Sequence, residues 1–265
     1  MMISIDDPND PRIGAYRDVR ERDLVGRDGR FIAEGEVVLR VLAGSALARP
    51  LSLLIAQNRV EKLRPILERL PADTPVYVAA QEVLDGIAGF PLHRGILALG
   101  ERTEQPSASA LLERLGPSAL VVALFGIGNH DNMGGAFRNA AAFGAGAVLL
   151  DPTCCDPLYR KAIRVSVGGV LATPFARLAP GEDAVALLAA AGFEMFALSP
   201  SGTLDLRDAP RPARAAVLLG SEGPGLPADL MARTTTVRIP MAANFDSLNV
   251  ATTCGIALHH FARRG

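Results

Sequence analysis

Apolar and polar positions along the chain fall into blocks whose character changes at a polar break near residues 101–107. Before the break, "FIAEGEVVLRVLAG" and "RVEKLRPILERL" carry apolar residues at helical spacing, the second in spite of Pro65. "LSLLIA" and "PVYVAA" are short apolar runs of strand type. This pattern predicts a small α/β domain over residues 1–104. The break itself, "GERTEQPSASALLERLGPSAL", sets Pro106, Ser107 and Ser109 between the strand-like "GILALG" and "ALVVALFGI". Over residues 105–265 the alternation returns with longer elements. Strands are predicted at "ALVVALFGI", "AGAVLL", "FEMFALS", "AAVLLG" and "TTVRIPM", with helical segments between most of them. The expected architecture is α/β, a mainly parallel sheet covered by helices.

Composition narrows the picture. With 265 residues, 49% of them hydrophobic, the chain can bury a substantial core. No run of residues is long and apolar enough to predict a membrane span, and "MMISIDDPND" is acidic where a signal peptide would be basic and then apolar. A cytoplasmic protein is expected. Cys154, Cys155 and Cys254 form no CxxC pair, so neither a disulfide framework nor a thiolate zinc site is expected, and no His/Cys/Asp/Glu spacing suggests a metal. Of the 27 basic residues only Lys62 and Lys161 are lysines, yet the net charge is −1, so any nucleic-acid surface must be a local patch. One candidate is the stretch where Arg12, Arg17, Arg20, Arg22, Arg27 and Arg30 alternate with Asp18, Glu21, Asp23 and Asp28. Interleaved acids fit a solvated face of weak ion pairs as well as an RNA contact.

In open α/β sheets ligands collect outside the carboxyl ends of the strands, and three loops there hold unusual residues. In "FGIGNHDNMGGAFRNAAAFGAG" a strand gives way to a helix that contains Asn132 and Arg138, with Met133, Phe137 and Ala140 at core spacing. Gly134 and Gly135 each weaken that helix by roughly 1 kcal/mol, so close approach of a ligand or another backbone is expected there. In "LLGSEGPGLP" neither a dinucleotide fingerprint nor a Walker A spacing is completed. The glycines and prolines fit a tight turn, but Glu222 needs a donor, either backbone N–H groups or an arginine. In "RIPMAANFDSLNVATTCGIALHHFARR", Leu248, Ala251, Cys254, Leu258 and Phe261 mark one face of a carboxy-terminal helix. Asp246 or Ser247 is the expected cap, and Asn249 lies beside the open N–H groups of the first turn.

Together and in this order, "NMGGAFRNAAAFG", "LLGSEGPGLP" and "IPMAANFDSLNVATTCGIAL" resemble the three motifs of the SpoU/TrmH family, RNA ribose 2′-O-methyltransferases of the SPOUT superfamily. The resemblance implies a trefoil-knotted catalytic domain over residues 105–265, a mainly parallel sheet with helices on both faces. The L30e-like RNA-binding domain that precedes it in the family corresponds to residues 1–104, where "FIAEGEVVLRVL" and "HRGILALG" are similar. It also implies S-adenosylmethionine as donor, RNA (rRNA first, tRNA second) as partner, and a homodimer through the knotted domain. Matched position by position, Gly220, Ile239 and Leu248 fall on donor-contacting residues, with Leu219 and Met241 as neighbours. Asn132, Arg138, Glu222, Ser247 and Asn249 fall on the polar catalytic set. The chain departs from the family at "GNHDNMGG", which lacks an Asp-Pro pair common just before the first asparagine.

Methyl transfer from sulfonium to a ribose hydroxyl needs in-line approach, proton loss and stabilisation of the attacking oxygen. A guanidinium acting as base near pH 7 would forfeit on the order of 7 kcal/mol. A clamp on phosphate and developing alkoxide is therefore the role expected of Arg138, with Glu222 orienting Arg138 or backbone donors. Two rival readings share the fold: an inactive RNA-binding protein of ribosome assembly, and a guanine-N methyltransferase.

Overall fold

The computed structural model describes residues 2–17, 29–88, 95–242 and 245–262. They divide into two compact units. One holds the described residues up to Glu104 together with Asp156–Ala172; the other holds Gln105–Cys155 and the described residues from Thr173 onward. The segment 156–172 therefore packs with the first unit although the chain pattern groups it with the second.

The first unit contains β1 (Met2–Ile5), β2 (Arg30–Glu34), α1 (Glu36–Ala43), β3 (Ala48–Ala56), α2 (Val60–Leu67), β4 (Val76–Ala79), α3 (Gln81–Ala88) and β5 (Ile96–Arg102). The sheet order is β1-β4-β3-β5-β2. β4 pairs parallel with β1 and β3, while β5 pairs antiparallel with β3 and β2. "FIAE", expected as the start of a helix, is strand β2: Gly35 at φ 94° breaks the run, and α1 begins one residue later. β1 was not expected, because four half-exposed edge residues carry little periodicity. The segment 156–172 attaches through Arg160, whose guanidinium reaches buried Glu34 at 3.1 Å, and through Leu171, whose carbonyl accepts from Ser45 Oγ at 2.6 Å.

Within the arginine-rich stretch, Asp18, Arg20, Glu21, Arg22, Asp23, Arg27 and Asp28 lie outside the described residues, as do His93 and Arg94 of "HRGILALG". Arg12 forks onto Asp10 and holds that carboxyl down at about 2. Arg17 donates to the carbonyls of Pro8 and Asp10 at 3.1 and 2.9 Å.

The second unit, together with α6 of the first, follows in chain order. The elements in chain order are α4 (Ala108–Glu113), β6 (Ala119–Leu124), α5 (His130–Ala142), β7 (Ala147–Leu150), α6 (Arg160–Val165, of the first unit), β8 (Phe175–Arg177), α7 (Ala184–Ala190), β9 (Glu194–Leu198), β10 (Leu204–Asp205), β11 (Arg214–Leu219), α8 (Ala228–Met231), β12 (Thr235–Arg238) and α9 (Val250–Phe261). The second unit's seven strands run β10-β12-β9-β11-β6-β7-β8, every pairing parallel. β8 and β10, at the two edges, are too short to leave a pattern in the sequence. Alternation along the strands separates two covered faces. Val121, Ala123, Leu149 and Ala197 join Leu188 of α7 and Leu112 of α4 in one core. On the opposite face Phe196 packs on Phe261 of α9 with centroids 4.5 Å apart, and Phe175 meets Phe137 of α5 at 5.4 Å.

Cys154 and Cys254 are buried and Cys155 is half-buried. Burial pushes the thiols of Cys154 and Cys254 up to about 12. Iodoacetamide at pH 8 should therefore label at most one thiol per native chain, Cys155, by intact-mass spectrometry, and all three after denaturation.

Glycine at 220 is required by space. A Cβ there would overlap the main chain of Gly225 and Leu226, whereas at exposed Gly116 nothing lies within 4 Å. Gly220→Ala should cost about 1–3 kcal/mol in urea denaturation and Gly116→Ala no more than about 0.5 kcal/mol; equal effects would contradict this packing.

Candidate active site

Three loops of the second unit leave the carboxyl ends of β6, β11 and β12, and each delivers one member of a polar cluster. After β6 the chain reaches Asn129, the N-cap of α5, whose Oδ1 accepts the N–H groups of Asp131 and Asn132 at 2.7 and 3.4 Å. That cap sets the first helical turn and with it Asn132, which is only 6% exposed. Asn132 Nδ2 donates to Glu222 Oε1 at 2.9 Å. After β12 the chain reaches Asn249, the N-cap of α9, whose Oδ1 accepts from Ala251 and Thr252 at 2.9 and 3.2 Å. With its oxygen committed to the helix, Asn249 turns its amide nitrogen toward Asn132 Oδ1 at 2.7 Å and Glu222 Oε1 at 3.2 Å. Asn132, Glu222 and Asn249 thus close a triangle in which every edge is a hydrogen bond.

The two helices approach closely enough to allow this. A Cβ on Gly135 would stand 2.5 Å from that of Ala251, and Gly255 faces the side chain of Asn139. Asn139 Nδ2 also donates to the Ala251 carbonyl at 2.7 Å. The close approach expected at "NMGG" is therefore that of α9. Asp151 anchors the loop before α5, its Oδ1 accepting from the N–H groups of Gly126 and Cys154 at 3.1 and 2.9 Å.

Leu219, Gly220, Ile239, Met241 and Leu248 all line one cleft of about 200 Å³, together with Glu222 and Ser247. Glu222 is its one charged lining residue among those described. Gly220 serves the loop's own packing, as its crowded neighbours show. Gly223 and Gly225, at φ 95° and 69°, supply turn conformations, and Gly225 N–H closes the turn onto the Ser221 carbonyl at 3.1 Å.

Two expectations are corrected. Glu222 takes its donors from Asn132 and Asn249, not from Arg138 or from backbone N–H groups. Arg138 is exposed and makes no hydrogen bond or ion pair with the described residues. It lies six residues beyond Asn132, about 240° around the helix, so its side chain leaves from another face. The cap of α9 is Asn249 rather than Asp246 or Ser247, because the helix begins at Val250; Ser247 lies on the cleft wall instead. Two contributors were missed. Asn129 could have been found from its position before an Asp in a first turn, whereas Asn139 leaves no local signal, since its role exists only against α9.

A sequence profile of the SpoU rRNA Methylase family matches residues 119–259. An uncharacterized tRNA/rRNA methyltransferase of Mycobacterium bovis is 37% identical over 98% of this chain and 91% of its own length. A 23S rRNA (adenosine(1067)-2′-O)-methyltransferase of Streptomyces azureus is 36% identical over 52% of each chain. The AdoMet-bound rRNA methyltransferase of Sinorhizobium meliloti superposes with a TM-score of 0.81 at 25% identity, covering 98% of this chain and 97% of that one. The chain belongs to the SpoU rRNA methylase family.

Asn249→Asp keeps an oxygen to cap α9 but sets a second carboxylate beside Glu222. Two like charges raise the pKa of one of them above its unfolded value. The penalty is then present at neutral pH and relieved as pH falls through the raised value. Relative to wild type, thermal scans should show a deficit of about 3–6 °C at pH 7.5 that shrinks by pH 4.5; a deficit independent of pH would refute the contact.

Proposed function

We propose that this protein transfers a methyl group from S-adenosylmethionine to a ribose 2′-hydroxyl of structured ribosomal or transfer RNA, and that it works as a cytoplasmic homodimer. The observation that carries the reading is the double position of Glu222, which closes the polar triangle and is also the charged group on the cleft wall. The cleft suits the donor: main chain at Gly220 and Gly223 lets a nucleoside lie close, Leu219, Ile239 and Leu248 offer apolar surface, and one carboxylate matches one sulfonium charge. When bound, that cofactor supplies an electrophilic methyl group. Ribose chemistry, rather than base chemistry, is favoured by the name of the Streptomyces azureus relative.

The chain's own residues then have separable tasks. Asn132 and Asn249 hold Glu222 in place and, through their amides, order the mouth of the site. Ser247 offers a hydroxyl on the cleft wall. Arg138, with no acid to neutralise it among the described residues, is available to an RNA phosphate.

The architecture is read in the same way. Gly220, Glu222 and Gly225 share one cleft with Met241, Ser247 and Leu248 while α9 packs on α5, an arrangement that suits a carboxy-terminal segment threaded as a trefoil knot. Ile256 of α9 is 39% exposed and suits a helix face covered by a second copy. The first unit is proposed as an RNA-binding module of ribosomal L30e type.

Incubation with methyl-labelled S-adenosylmethionine and rRNA and tRNA transcripts should place label in dinucleotides resistant to alkaline cleavage. Label in alkali-sensitive nucleotides would point to base methylation, and no transfer at all to an RNA-binding protein. Arg138→Ala should lower kcat by about 10²-fold or more with donor affinity unchanged in calorimetry. If Arg138→Lys kept wild-type turnover, the bidentate clamp would fail.

A further inference from the structure

The described residues of the second unit expose three large apolar side chains, Phe245 (69%), Ile256 (39%) and Leu248 (36%), all on the carboxy-terminal segment. Leu248 lines the cleft and is covered by whatever fills it. Ile256 lies on α9, about 9 Å beyond the start of the helix. Phe245 belongs to neither place: it precedes the helix and is not part of the cleft wall.

Its position is nonetheless tied to the site. Phe245 lies between Met241 and Ser247, both on the cleft wall, and four residues before Asn249. Two residues of chain span at most about 7 Å, so its backbone lies that close to Ser247. Its N–H donates to the Ala242 carbonyl at 3.2 Å. The chain has no tryptophan, and of the other phenylalanines of the same unit Phe137, Phe175, Phe193, Phe196 and Phe261 are buried and Phe125 and Phe143 half-buried. An exposed phenyl ring is thus exceptional within its own unit, and this one lies four residues before a member of the polar triangle.

We propose that Phe245 is the platform on which a nucleobase of the RNA substrate stacks; this rests on the RNA-methylating function proposed above. A base hangs from C1′, the carbon next to the one that carries the 2′-hydroxyl. A ribose seated at Glu222 and Asn249 therefore sets its base a few bond lengths from the polar triangle, and a base pulled from its stack needs a flat apolar partner in exchange. A phenyl ring supplies that face without selecting among the four bases. Target choice is accordingly left to other contacts, and Phe245 contributes to holding the nucleotide.

The test compares wild type with Phe245→Leu, Phe245→Ala and Phe245→Trp. It uses methyl transfer to rRNA and tRNA transcripts, calorimetry with S-adenosylmethionine, and mass by light scattering. Leu and Ala should raise KM for RNA about tenfold, equivalent to roughly 1.4 kcal/mol, with donor affinity and mass unchanged, while Trp retains wild-type KM. Leu behaving as wild type would overturn stacking, since apolar bulk alone would suffice. A changed mass would assign the ring to an interface between copies, and a tenfold loss of donor affinity would assign it to the cleft; either result overturns the proposal. Absence of transfer by wild type would instead remove the function on which it rests.

Discussion

The close approach of α5 and α9 is the constraint on which the site depends. Helices that meet through larger side chains stand about 8–10 Å apart. Here Gly135 against Ala251, and Gly255 against Asn139, remove the side chains that would hold the axes apart. The consequence is electrostatic as well as steric. Each helix begins with unpaired N–H groups, and asparagines satisfy them from Asn129 and Asn249. Because the two helix starts are side by side, the amide of Asn249 can cap α9 with one end and reach Asn132 and Glu222 with the other. The cost of Gly135 within α5 and Gly255 within α9 is offset by contacts that no larger residue would permit.

The loop after β11 shows how one glycine-rich sequence can meet several demands at once. Gly220 is small because the returning chain at Gly225 occupies the place of its side chain, whereas Gly223 and Gly225 are glycines because of their positive φ. The fold of this loop brings Glu222 to the polar triangle and leaves main chain along the cleft. A carboxylate in such a place is stabilised by two amide donors rather than by a cation. Neutral donors leave its negative charge available to a positively charged ligand, which an arginine partner would have neutralised.

The segment 156–172 follows a related logic in the first unit. Glu34 is buried at the end of β2, and a buried carboxylate without a partner is strongly destabilising. Arg160 supplies the partner at 3.1 Å, with Arg164 at 3.8 Å, from a helix distant in the chain. An ion pair of this kind explains why a short helix leaves the sequence order of its neighbours and packs with β2.

Local sequence determined the parts governed by local physics. Short apolar runs marked β6, β7, β9, β11 and β12, helical spacing marked α2 and α9, and the polar break near Pro106 marked the passage between units. The motif resemblance singled out Asn132, Glu222 and Asn249 before their contacts were visible. The tertiary structure decided what depends on partners distant in the chain: that Glu222 faces two asparagines rather than Arg138, that Asn249 caps α9, and that 156–172 joins the first unit. It also decided that "FIAE" is a strand, because β5 offers it a ladder of hydrogen bonds that helical spacing could not anticipate. The reason is the same in each case. A propensity belongs to neighbouring residues and can be read in order, whereas a hydrogen bond across 90 or 117 residues exists only after packing has fixed which surfaces meet.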